Sequence, residues 1–272
     1  MTNFATIILN RNLPKITEKL YKDIKKTNNT DIYILESGSK KNLLAKNFTW
    51  HAKWPNAMKM GLRFPRGMNY ALSKLWEEKL YLKYDYFFLI SNDAEIITKN
   101  CIEKFEKIFK KHPRLGILSG CASNWGESQL LKDKKLLYFW YMENHSLVLR
   151  KEFILDIMSK KKPGYKNFLY DGNNFRGYGS NSELLAKAYS NFWGAAITSE
   201  VKINENESHL INKSSLIRTE PYNKNLKLYI EEGEKWMKEK YGFKSKWSMQ
   251  MYVKTFYDKF FEYYPDYIKF KI

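Results

Sequence analysis

Cysteine is scarce: the 272 residues contain two, Cys101 and Cys121. Two thiols cannot build a disulfide framework, nor can they alone complete a zinc site. Their rarity fits a reducing cytoplasm. Long apolar runs are missing as well, and none approaches the roughly 20 residues that a membrane-spanning helix needs. The first residues lack the basic segment, apolar stretch and small-residue cleavage site of a secretory leader, and pass directly into Ala5-Thr6-Ile7-Ile8-Leu9. There is no long basic tail, no arginine-rich arm, no internal repeat, and no low-complexity segment beyond a lysine bias. These absences lead us to expect a cytoplasmic protein, soluble or held peripherally on the inner face of the membrane.

Positive charge is abundant: 47 Lys and Arg against 29 Asp and Glu give a formal net charge of +18. Such a field favours nucleic acid, an anionic membrane surface or phosphate-bearing substrates. The charge is dispersed in short runs such as Lys25-Lys26, Lys110-Lys111 and Lys160-Lys161-Lys162, and no recognition motif accompanies it. A nucleic-acid partner is therefore not expected.

Apolar spacing predicts an α/β chain. Ala5–Leu9 reads as a strand, Lys15–Lys26 as a helix through Ile16, Leu20 and Ile24, and Asp31–Leu35 as a second strand. Strand, helix and strand within about 30 residues form a βαβ unit with parallel strands. Ligands collect at the carboxyl ends of such strands. Residues 47–66 read as loop or short strand, and Gly67–Leu82 as a helix. Tyr86–Ile90 is apolar throughout, as a strand buried on both faces must be. Cys101–Lys111 is amphipathic, Gly116–Gly120 is a short strand, and Ser180 or Asn181 is placed to cap a helix. After Pro221 two basic, aromatic helical segments follow, so the division expected is 1–220 and 221–272.

Three segments carry chemistry, each with two readings. In Asn92-Asp93-Ala94-Glu95, at the end of the buried strand, Asp93 and Glu95 either approach one divalent ion or begin a helix as cap and acidic first turn. Glu36-Ser37-Gly38-Ser39 either presents a carboxylate to a base or ribose, or is a simple turn. Arg63-Phe64-Pro65-Arg66-Gly67-Met68-Asn69 offers two cations at a helix start, a phosphate site or a surface arginine pair.

Taken in order, these segments resemble the GT-A-fold glycosyltransferases of the family 2 type, over about residues 4 to 215. The resemblance implies a Rossmann-like, mostly parallel central sheet flanked by helices, with the last 52 or so residues as a helical C-terminal extension. It places Asn10 and Arg11 in a nucleotide-contacting loop and gives Glu36 the base. Arg66, Gly67 and Asn69 lie beside the nucleotide, Asn92 joins the residues that bind it, and Asp93 is nearer the ribose. Asp93 and Glu95 face the diphosphate and its metal, Mn2+ or Mg2+, and His209 in Glu207-Ser208-His209 completes the metal shell.

Phe175-Arg176-Gly177-Tyr178-Gly179-Ser180-Asn181-Ser182-Glu183 is similar to the family's acceptor loop and helix, with one departure. The family commonly has Glu-Asp where this chain has Ser180-Asn181, and that Asp is the usual general base. An asparagine cannot take the proton near neutral pH, so Glu183 and Asp171 are the candidates to replace it. The implied activity is a hexosyltransferase-type, metal-dependent and inverting transfer from a nucleoside-diphosphate sugar to a hydroxyl of a glycan or lipid-linked glycan, in surface polysaccharide or glycoconjugate synthesis. Its alternative is a catalytically silent nucleotide- or glycan-binding protein of the same fold. The extension packs on the domain, forms a homo-oligomer contact, or rests on an anionic membrane surface.

Overall fold

The structure, a computed structural model, describes residues 3–123, 126–143, 146–206, 208 and 220–272. Its first half alternates strand and helix. β1 (Phe4–Asn10) leads to α1 (Pro14–Thr27), where Pro14 sits in the first turn and its missing N–H costs no hydrogen bond. β2 (Asp31–Glu36), β3 (Trp50–His51), α2 (Pro55–Met60) and α3 (Arg63–Glu77) follow. Then come β4 (Tyr86–Ser91), β5 (Ala94–Ile96), α4 (Cys101–Lys111) and β6 (Leu115–Cys121). The second half holds α5 (Glu127–Leu130), β7 (Leu136–Tyr138), β8 (Ser146–Arg150), α6 (Lys151–Ile157), α7 (Ser180–Ser190) and β9 (Gly194–Glu205). Two long helices close the chain, α8 (Tyr222–Tyr241) and α9 (Lys246–Tyr263).

Among the described residues nine strands join one sheet in the order β3-β2-β1-β4-β8-β6-β9-β5, with β7 also on β9. β1, β2, β3, β4, β6 and β9 run one way, and β5, β7 and β8 run against them. The sheet is therefore mostly parallel in strand direction, as expected. Register aligns Asn10 with Glu36 across β1 and β2, and Leu9 with Ser91 across β1 and β4. These carboxyl ends are level, so their loops open on one edge. Phe87, Phe88, Leu89 and Ile90 have no exposed surface, which accounts for the uninterrupted apolar run.

Three local expectations are corrected. The helix expected from Gly67 begins at Arg63, because Pro65 falls in its first turn, where no intrahelical donor is lost. Asp93 and Glu95 do not start a helix: Ala94–Ile96 is a strand paired antiparallel to β9, and α4 begins only at Cys101. Neither Ser180 nor Asn181 caps α7; the N-cap is Gly179, in a left-handed conformation (φ 79°). Of the last two helices, α9 shares the main core through Val253, Tyr257, Phe260 and Phe261, all buried, and packs along α7, whereas Trp236 and Met237 of α8 form a smaller cluster with Met249. No helix among the described residues is long and apolar enough to cross a membrane.

Candidate active site

The floor of the site is a buried polar network at the ends of β1, β2 and β4. Glu36 has no exposed surface, and its carboxylate accepts from Asn10 Nδ2 (3.0 and 2.9 Å), Ser39 Oγ (2.5 Å) and Ala45 N (2.7 Å). A carboxylate taken from water must find such donors. Asn10 Oδ1 accepts in turn from Asn92 Nδ2 (2.9 Å) and Leu13 N (3.2 Å), and Asn92 also donates to Thr17 Oγ1 (3.1 Å). Arg11 spends its guanidinium on main-chain oxygens: Ser37, Gly38 and Ala57 at 2.8, 3.3 and 3.0 Å, then Met58 and Lys59 at 3.3 and 3.2 Å. Burial pushes its pKa down. Gly38 is left-handed (φ 69°), and a Cβ there would lie 1.8 Å from Ala57 O, so only glycine allows these loops to touch. In this arrangement Asn10, Arg11, Glu36 and Asn92 brace the loops around the site from below.

Asp93 emerges from this floor. It is 8% exposed; one carboxylate oxygen accepts from the Ser91 hydroxyl, and its carbonyl accepts from Asn206 N at 2.8 Å. Glu95 is exposed and accepts from Asn206 Nδ2 at 2.7 Å. Asn206, just past β9, thus ties the two acidic positions together. Their oxygens suit a hard divalent ion that draws its remaining ligands from phosphate and water. Among the described residues no group of three or more His, Cys, Asp and Glu side chains is gathered for a metal. His209 lies outside the described residues.

The Arg66-Gly67-Met68-Asn69 segment organises the opposite wall. A Cβ on Gly67 would stand 2.6 Å from Leu9 Cδ1, so the glycine lets α3 lie close on β1. Asn69 is fully buried. It donates to the carbonyls of Tyr170 (2.8 Å) and Tyr165 (3.3 Å), and accepts from Leu169 N and Tyr170 N, both at 3.0 Å. Arg66 Nε donates to Gly172 O (2.5 Å), and its guanidinium lies 4.6 Å from the Phe175 ring. These residues fix the segment that carries Asp171.

Asp171 and Glu183, the two alternative candidates for the replacement base, lie side by side in the structure. The main-chain N–H of Asp171 donates to Glu183 Oε2 (3.3 Å), and Lys240 Nζ bridges Asp171 Oδ2 (2.7 Å) and Glu183 Oε1 (2.8 Å). Tyr241 OH donates to Glu183 Oε1 (2.6 Å) and Trp236 Nε1 to Asp171 Oδ2 (3.1 Å). Burial alone would push the Asp171 carboxyl up, but bonds from Lys240 and Trp236 outweigh it and hold the group below the usual aspartate range. Burial likewise opposes the charge on Lys240, and the two carboxylates overcome it and raise its pKa. Asn181 is buried two residues before Glu183, in the same first turn of α7.

Sequence reasoning missed Lys240, Tyr241 and Trp236, which come from the extension. The available signal was Gly233 inside a long helix: a Cβ there would meet Tyr178 Cβ at 2.5 Å, so α8 lies directly on the glycine-punctuated loop. Arg176 adds a second tie, pairing with Glu220 (2.6 Å) and with Glu232.

Solved structures share this fold. A mannosyltransferase from Pyrobaculum calidifontis, in complex with GDP-Man and Mn2+, superposes with a TM-score of 0.54 over 79% of this chain at 10% identity. The chain has the GT-A glycosyltransferase fold. GalNAc-T7, solved with UDP, GalNAc and Mn2+, matches the same GT-A frame with a TM-score of 0.54 over 75% of the chain at 9% identity. S. aureus TarS does so at 0.53 over 87% of the chain and 12% identity. The chain spans 58%, 43% and 44% of these three proteins respectively. No family model matches the sequence, and no curated protein resembles it in sequence.

Proposed function

We propose that the protein is a glycosyltransferase that moves a sugar from a nucleoside diphosphate to a hydroxyl of a glycan or lipid-linked glycan, with inversion. The observation that carries this reading is the presence of two acidic pairs on one GT-A frame. Asp93 and Glu95 stand at the carboxyl edge of the sheet, and Asp171 and Glu183 stand where α3, α7 and α8 meet. The first pair fits a donor diphosphate with Mn2+ or Mg2+, and two neighbours of this fold were solved with Mn2+ beside a nucleotide or nucleotide sugar. The ion, when bound, neutralises charge on the departing diphosphate.

The chain's own residues do the rest. Asp93 and Glu95 supply oxygens on the donor side, with His209 as the third proposed ligand. The buried Asn10–Glu36–Asn92 network and Arg11 keep the nucleotide loops preformed, while Arg66 orients the segment that carries Asp171. Glu183 or Asp171 takes the acceptor proton as the hydroxyl oxygen attacks, which needs a carboxylate that is ionised at working pH. Dispersed lysines give the cytoplasmic face of an anionic membrane as the place where a lipid-linked acceptor is met. Asn181, at the position of the family's usual base, favours the second reading, a binding protein without turnover.

A nucleotide-sugar panel read by thermal shift, with and without Mn2+, and followed by product analysis tests the proposal. Stabilisation by one donor, dependent on the ion, together with transfer or hydrolysis is the expected result. Binding without turnover would favour the second reading, and no binding of any donor would overturn both.

A further inference from the structure

The reading of Asp171 and Glu183 as acceptor-side carboxylates leaves unexplained why the end of α8 should be built onto them. One face of α8 carries Tyr229, Gly233, Trp236, Met237 and Lys240, at helical spacing over three turns. Tyr229 packs edge-on against Tyr178 (5.0 Å), Gly233 against the same residue, and Met237, fully buried, beside Gly179. Trp236 and Lys240 then reach Asp171, and Lys240 and Tyr241 reach Glu183. Two side chains of one sign, both largely withdrawn from water, are brought within 2.8 Å of a single ammonium.

We propose that Lys240 is a positioning residue of this site, holding the Asp171 and Glu183 side chains side by side toward the acceptor, so that α8 is an obligatory part of the site. The inference rests on the proposed function only for the word acceptor; the positioning itself is a property of the folded chain. Without a cation between them, two neighbouring carboxylates resist joint ionisation, and one retains its proton at higher pH. Other charged and titratable groups facing the pair are Lys187 from α7 (3.6 Å from Glu183), Tyr241 from α8, Tyr170 from the segment before Asp171, and Arg66 from α3. Lys240 is the one that bonds both carboxylates.

The test compares full-length wild type, Lys240→Met and Lys240→Arg by carboxyl 13C NMR titration of Asp171, which needs no substrate. The Asp171 midpoint should rise by about one pH unit or more in Lys240→Met and stay near the wild-type value in Lys240→Arg. An unchanged midpoint in Lys240→Met would overturn the proposal. Should Lys240→Met fail to fold, the wild-type midpoint decides: a value at or above that of an unstructured aspartate would equally overturn it. In a transfer assay the acid limb of kcat/KM should move up in Lys240→Met and return in Lys240→Arg. A moved NMR midpoint with no transfer by any variant would sink the proposed function and leave the positioning intact.

Discussion

Lys240 Nζ lies 2.7 Å from the Asp171 carboxylate although 69 residues separate them in the chain. The contact makes stability depend on pH in a definite direction. Asp171 is held below its ordinary pKa in the folded state, so its contribution is full above the unfolded value of about 3.9 and is lost as pH falls through the folded value. Wild type should therefore exceed Lys240→Met in stability at neutral pH, and the gap should shrink as pH is lowered below about 4. Urea midpoints between neutral pH and pH 3 measure this. A gap that widens on acidification would contradict the assignment.

Separate substitution of the two carboxylates identifies the proton acceptor. The residue that takes the acceptor proton should cost about 10²- to 10⁴-fold in kcat when changed to its amide, with KM for donor little altered. Glu183→Gln and Asp171→Asn are close in shape to the native residues, and donor-induced thermal shift should persist in both. Equal, small effects from both changes would remove general-base catalysis from this pair.

The frame of the molecule was legible in the sequence because its elements announce themselves by period. The apolar run Tyr86–Ile90 could only be a doubly covered strand, and Cys101–Lys111 has the bounds that its spacing predicted. Glu183 and Asp171 were each named as a substitute for the missing base through the family resemblance, but nothing in the sequence pattern announced that the Asp171 N–H would bond Glu183. What stayed hidden depends on contacts between distant segments. Glu36, Asn10 and Asn69 look like ligand-facing polar residues by type, but each is buried and hydrogen-bonded to the protein itself. The strand at Ala94–Ile96 exists because β9 continues far enough to pair with it, which no local pattern encodes. Lys240 was one lysine among many until the helix bearing it was placed.

Asp93 and Glu95 should govern the ion-dependent part of donor binding. A ligand present at 100 times its Kd stabilises the native state by about 2.7 kcal/mol. Asp93→Asn should abolish most of the increment that Mn2+ adds to a nucleotide sugar, and Glu95→Gln should weaken it, each with a small change in the Tm of the free protein. Isothermal titration with and without the ion provides the check. Retention of the full Mn2+ increment in both variants would place the ion elsewhere.

Asn69 separates support of the site from participation in it. Its amide satisfies two main-chain carbonyls and two main-chain N–H groups in the segment 165–170, all at a position with no exposed surface. Asn69→Ala leaves these groups without their partner, and each buried unsatisfied group costs about 1–3 kcal/mol. Relaxation of the segment reduces the sum, so a loss of about 3 kcal/mol is expected from equilibrium unfolding. Donor binding should survive in the folded fraction, because Asp93 and Glu95 are held by β9 and Asn206 rather than by this segment. Transfer should fall, since Asp171 directly follows the released residues. A variant that keeps both its stability and its transfer rate would show that the segment is held without Asn69.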